Sequence, residues 1–294
     1  MQFLNRQVRV SAVTLALAIA ILAPSAAAAE DPRSIPPAPP RAEGEGPWKR
    51  LILRGPTLID GTGAPPVGPV DIVVEGNLIR EIKSVGNPGA PIDPANRPAA
   101  GPSDHVIDLS GHYVLPGFVD LHGHLGGREQ GTPAEYVLKL WMAHGITTSS
   151  DPGSGNGLEF MVEHKKKSEA NLITAPRLLP YVFYGQDVKD PITTTAGVRT
   201  FVQDVARRGA MGIKFFGLRP DLMAAAIDES KKLGLRTTCH HAQLAVARLN
   251  VLDTARMGLT SMQHWYGLPE ALFTDRTIQD YPRDYNYNDE QDRF

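Results

Sequence analysis

With 294 residues, 42% of them apolar, the chain can form a large core and more than one domain, and its composition excludes a disordered chain. The formal net charge is -2, and the one tight basic run, Lys165 to Lys167, suits a solvated helix face. This balance excludes an electrostatic groove for nucleic acid, so no nucleic-acid partner is expected.

Residues 1–29 carry Arg6 and Arg9, an apolar stretch from Val10 to Leu22, Pro24, and small residues ending at Ala29. That layout predicts a secretory signal peptide cut after Ala28 or Ala29. The apolar stretch is shorter than the roughly 20 residues of a membrane span, so no stable anchor is expected after cleavage, a retained anchor being the alternative. Export across the inner membrane to the periplasm follows. The single cysteine, Cys239, excludes both a lipid-modified cysteine at the cleavage site and an internal disulfide. Residues 30–47 are rich in proline and charge without an apolar period, which predicts an extended linker, with structure beginning near Trp48.

Across residues 48–112 short β-prone runs alternate with turn signals at Gly61 to Gly63, Gly76-Asn77 and Gly111. A small antiparallel sheet is expected there. The segment "KSVGNPGAPIDPANRPAAGPSD" between its strands predicts a surface loop.

After Tyr113 the rhythm becomes strand, turn, amphipathic helix, glycine, strand. Strands are expected near Tyr113 to Leu121, Ile146 to Ser149, Arg177 to Tyr184, Gly212 to Phe216, Leu235 to His241 and Leu259 to His264. Thr132, Pro133 and Glu135 stand in the positions of a helix-starting capping box, and helices are expected to stop before Gly145, Gly209, Gly234 and Gly258. Such alternation implies parallel pairing and an α/β class. In a (β/α)8 TIM-type barrel each unit takes roughly 31 residues. His122 and His124 end the first strand; Lys214 comes about three such units later, and His241 and His264 follow at about one unit each. All five residues, on the ends of strands one, four, five and six, are therefore expected at the C-terminal rim, where barrel enzymes keep their chemistry.

Imidazoles are common ligands of zinc and similar ions, and two residues apart on a strand they can project to the same side. Lys214 in "GIKFF" places an ammonium between apolar neighbours, which is costly unless its pKa falls, it finds an ion pair, or the neutral amine takes up carbon dioxide as a carbamate. A lysine snorkelling at a strand end is the plainer alternative. Asp151, in "SSDPG", is a candidate for substrate contact or for capping its loop. His105, His112, His144 and His164 lie away from the rim and are expected to be structural.

The stretches "LIDGTGAPPVGPVDIVVEGNLIREI", "VLPGFVDLHGHL", "GITTSSDPG", "GAMGIKFF", "TTCHHAQ" and "GLTSMQHW", in this order, resemble the metal-dependent amidohydrolase superfamily, especially its imidazolonepropionase-like and dipeptidase-like members. The resemblance implies a small β-sandwich, residues 48–112 being its N-terminal part, built around a barrel over 113–294 with one or two divalent metal ions, zinc first among them. It makes His122, His124, His241 and His264 metal ligands and Lys214 the N6-carboxylated bridging lysine. For "CHHAQ" the family pattern favours His241 over His240; neighbouring strand residues face opposite sides, so only one of the two can join the site. Cys239 alternates with His241 and is expected to be a small buried packing residue.

Only 30 residues follow His264, enough for a helix "PEALFTDRTI" and a polar tail, so about six barrel units are expected, and the family's last-strand aspartate, a metal ligand and general acid and base, has no counterpart. A fragment of a longer enzyme, with exposed sheet edges, is therefore expected. The implied reaction is hydrolysis of a small amide, cyclic amide or dipeptide carbon–nitrogen bond by water activated on the metal. A lactonase or phosphotriesterase-like activity on the same ligands, and an inactive metal-binding protein, are the alternatives. The oligomeric state is not legible in the sequence.

Overall fold

The computed structural model describes residues 46–272 apart from 129 and 247. The expected signal peptide, nearly all of the expected linker and the tail beyond residue 272 lie outside the described residues. No helix among the described residues is long and apolar enough to cross a membrane.

Six short strands come first: β1 (Arg50–Arg54), β2 (Thr57–Leu58), β3 (Val70–Glu75), β4 (Leu78–Ser84), β5 (His105–Asp108) and β6 (Tyr113–Val114). Four of them form a sheet in the order β4-β3-β1-β5, and β2 pairs with β6. In β3 the run Val70–Val73 is buried, while β4 lies at the edge and is exposed along nearly its whole length. The β3–β4 hairpin turns at Gly76-Asn77 as expected, with Gly76 at φ 59, a left-handed conformation open to glycine at no steric cost.

The expectation of a purely antiparallel sheet is corrected, since β5 runs parallel to β1 and β6 parallel to β2. The physical reason is the proline-rich segment between β4 and β5. It is long enough to cross the sheet, whereas a tight hairpin would force the next strand to reverse. It lies on the surface as expected and is pinned by ion pairs from Arg50 to Asp104 and from Arg97 to the fully buried Asp71 at 3.5 Å.

The second part is a curled sheet of six parallel strands in sequence order: β7 (Phe118–Asp120), β8 (Ile146–Asp151), β9 (Arg177–Phe183), β10 (Gly212–Phe215), β11 (Arg236–His240) and β12 (Ser261–Gln263). The helices are α1 (Ala134–Ala143), α2 (Leu158–Glu169), α3 (Thr195–Arg207), α4 (Pro220–Lys232), α5 (Gln243–Val246) and α6 (Val251–Met257). The strand expected over Tyr113 to Leu121 is two pieces, β6 pairing with β2 and β7 with β8. Pro116 cannot donate to a ladder, and Gly117 passes so close to β8 that a Cβ there would stand 2.0 Å from Thr147 Oγ1.

Gly209, Gly234 and Gly258 stop α3, α4 and α6 with φ of 99, 72 and 97, as their positions in the sequence foretold. The capping box expected at Thr132 does not form. Pro133 occupies the N-cap of α1 without a side-chain bond, because the Thr132 backbone is held by a bridge to Gly127. The box forms instead at α6, where the Asn250 side chain accepts from Leu252 and Asp253 N–H, and Asp253 accepts from Asn250 N–H. Such a cap is worth about 1 kcal/mol.

The main core lies between α3, α4 and the outer face of the sheet, with Val198, Val205, Ile213, Phe215, Met223 and Cys239 buried together. A second cluster, Leu125, Leu138, Met161 and Leu178, seals α1 and α2 onto the same face. In β10 this leaves one reading of the alternation: Ile213 and Phe215 point into the helix-side core, and Lys214 points to the inner face. At one end of the sheet, β7 and the residue that follows it expose Phe118, Val119 and Leu121.

Candidate metal centre

The chain leaves β7 through Asp120, whose carboxylate accepts the His122 N–H at 2.9 Å and bends the backbone outward. Gly123, between the two histidines, packs against β8 and α1; a Cβ there would meet Ser149 Oγ at 2.4 Å and the Trp141 ring at 2.7 Å. Leu125 then plugs the loop into the core beside α1 and α2. His122 and His124 are thus presented at the C-terminal end of the first parallel strand, their rings 5.1 Å apart.

His264 joins them from the end of β12, its ring 4.7 Å from that of His122. It adopts φ 61, a strained conformation for a residue with a Cβ, and strain of this kind gathers at functional sites. His240, the last residue of β11, stands 4.9 Å from His264, and Tyr266 packs on both, 4.5 Å from His240 and 5.2 Å from His264. Lys214 is 3% exposed, on the same inner face, in register with Thr238 of β11. Gln263 hydrogen-bonds the His122 ring and donates to Thr238 Oγ1 at 2.8 Å, so the ring is oriented from below.

Asp151, at the end of β8, behaves as the loop cap. Its carboxylate accepts Leu125 N–H at 3.1 Å and Gly153 N–H at 3.2 Å, and lies 3.5 Å from His124 Nδ1. The loops after β7 and β8 and the first turn of α2 line an open cavity of about 560 Å³ with Arg128, Gly155, Asn156 and Phe160.

The structure brings together His122, His124, Lys214 and His264, four of the five side chains singled out in the sequence. The fifth position is corrected: His240 stands in the cluster, and His241 does not. The His241 ring is 1% exposed on the opposite face of the strand, where Nε2 hydrogen-bonds Thr254 Oγ1 of α6 at 2.9 Å. The cause is the alternation of β11. Cys239 belongs to the helix-side core, so His241, two residues on, shares that side, and Thr238 and His240 face inward. Tyr266, Gln263 and Thr238 were not legible as site residues.

Burial, then the charges of Lys214, His264 and His124, brings the His122 pKa down to about 4. Burial brings Lys214 down to about 8, with the charge of Asp151 among the groups opposing the shift. Neutral His122 therefore offers a lone pair, and Lys214 has an appreciable neutral fraction near pH 8, the form that reacts with carbon dioxide. Nitrogen donors with a lysine of this kind and a nearby carboxylate are the donor types that suit zinc and similar divalent ions. Among the described residues, no three His, Cys, Asp or Glu side chains stand around a common point close enough to hold an ion. The donor chemistry fits a metal, while the rings rest against one another.

No model of a known protein family matches the chain. The chain is 26% identical over 164 residues to an adenine deaminase of Bacillus velezensis, a match covering 52% of this chain and 28% of that protein. With a dihydroorotase of Staphylococcus aureus it shares 29% identity over 167 residues, 53% of this chain and 35% of the other. The match thus spans about a third of the length of these relatives. Among solved structures, a Xaa-Pro dipeptidase with bound methionine superposes with a TM-score of 0.57 at 18% identity, over 73% of this chain and 61% of that one. These likenesses support the resemblance to the metal-dependent amidohydrolase superfamily. The named relatives are hydrolases acting on carbon–nitrogen bonds.

Proposed function

We propose that the protein is a metal-dependent hydrolase of small molecules that cuts a non-peptide amide, cyclic amide or dipeptide carbon–nitrogen bond. In this reading the six parallel strands are six units of a (β/α)8 barrel, and the smaller sheets are part of a β-sandwich. Export to the periplasm behind a cleaved signal peptide belongs to the same reading. The observation that carries it is the convergence of four histidines and a buried lysine at the C-terminal ends of parallel strands β7, β10, β11 and β12.

His122, His124, His240 and His264 would hold one or two divalent ions, zinc first among them, with Lys214 bridging as its carbamate. When bound, such an ion polarises a carbonyl and acidifies water. The chain's own residues set the geometry. Gln263, held by Thr238, fixes the His122 ring, Asp151 faces His124, and Tyr266 packs the rings of His240 and His264. Orientation of ligands by such neighbours is worth about 10–100-fold in metal affinity.

Elemental analysis of the purified chain beside a His122→Ala, His124→Ala double variant tests the centre: the native chain should carry metal and the variant should lose it, and equal metal in both contradicts the reading. Assay against amides, lactones and phosphotriesters tests the reaction. Amide turnover is expected; turnover of lactones or phosphotriesters without amides would assign the site to those ester classes instead.

A further inference from the structure

Phe216 follows β10 directly and is 48% exposed, beside polar groups of the site. Its ring stands 5.3 Å from that of His240, and Lys214 Nζ lies 5.7 Å from its centroid. On the other side it meets Phe183, the last residue of β9, at 5.4 Å between ring centroids. Phe183 is in register with Lys214, so both phenyl rings flank the strand ends that present the cluster. Space for the Phe183 ring is made by Gly153, where a Cβ would stand 2.2 Å from Phe183 Cε1, and Gly153 adopts φ 148.

A half-exposed phenyl beside a desolvated lysine and a histidine cluster leaves apolar area in water without contributing to the core. Ligand sites, by contrast, combine an apolar wall with a few convergent polar groups. We propose that Phe216 and Phe183 form the wall on which the substrate lays a planar apolar group, so that the preferred substrates are amides or ureides bearing an aryl or similar flat ring next to the bond that is cut. This inference rests on the carbon–nitrogen hydrolase reading for the word substrate, and on the ring geometry alone for the binding wall.

The test is equilibrium binding of benzamide and acetamide to the full chain, followed by ligand-observed NMR titration. The native chain should bind benzamide about tenfold tighter than acetamide, the scale of one good ring–ring contact. Phe216→Ala should bring benzamide down to the acetamide value and leave acetamide unchanged; Phe216→Leu should retain part of the preference. Phe118→Ala, which alters an exposed phenyl on β7 away from the cluster, should keep all of it. Equal binding of the two amides by the native chain, or an unchanged preference in Phe216→Ala, overturns the wall. Amide turnover together with equal binding rejects the wall and leaves the hydrolase reading standing. A preference lost in Phe216→Ala with no amide turnover by the native chain does the reverse.

Discussion

The two faces of β11 are built from interleaved residues and behave as different regions of the molecule. On the helix side, Thr237, Cys239 and His241 are buried at 2% exposure or less, and the pKa of His241 is brought down to about 4 by burial. On the inner side, Thr238 holds Gln263 and His240 meets the rings of His264 and Tyr266. Two consecutive histidines therefore differ entirely in surroundings: one is packed as a core residue against α6, the other stands among the rings at the strand ends. What separates them is the side on which the apolar helices sit.

Changes on the helix side should cost stability, and changes on the inner side should cost metal. The largest stability loss is expected for Phe215→Ala, which empties a fully buried site between β10 and the helices and should destabilise by about 3–5 kcal/mol in urea unfolding. A loss below about 1 kcal/mol would mean that the helix side is not the core. Cys239→Ser should cost about 1–3 kcal/mol by placing a hydroxyl among apolar neighbours. Burial pushes the Cys239 thiol up to about 12, so iodoacetamide at pH 8 should label it only in denaturant.

Thr238→Val removes the hydroxyl that accepts from Gln263 and Ser261, at 2.8 and 3.0 Å. It should cost only about 1 kcal/mol of stability but lower metal affinity about tenfold, measured by competition with a chelator. The smallest effect is expected far from both faces, at Glu159, which accepts two bonds from Arg208 at 2.6 and 2.8 Å. These bonds hold its carboxyl below the ordinary value of 4.5, so the unfolded chain binds more protons at acid pH. The pair's contribution is present above 4.5 and is lost as pH falls through the depressed value. Glu159→Gln should therefore lower stability by no more than about 0.5 kcal/mol at pH 7, and by less at pH 3.

Much of this was legible in the sequence. The six parallel strands follow from apolar runs broken by glycines, because Gly209, Gly234 and Gly258 are needed where the helices end with positive φ. His122 and His124 were legible because Gly123 and the strand end leave them one place to go. The direction of β5 was not, since a long proline-rich loop lets the chain return either way. Nor was the start of α6 at Asn250, whose cap depends on an Asp three residues on rather than the more familiar Glu. His241 was preferred to His240 on the family pattern, and alternation could not correct that choice because it gives two sets of residues without saying which faces the helices. Cys239 held that information: as the apolar member of "TTCHH", it would have assigned its own set to the core and the next histidine to the site.

The most direct measurement is metal content per chain for His240→Ala and His241→Ala, each compared with the native protein and with its own unfolding curve. The expected result is that His240→Ala loses metal while keeping near-native stability, and that His241→Ala keeps metal while losing about 1–3 kcal/mol. Metal retained in His240→Ala and lost in a folded His241→Ala would contradict the assignment of the two faces.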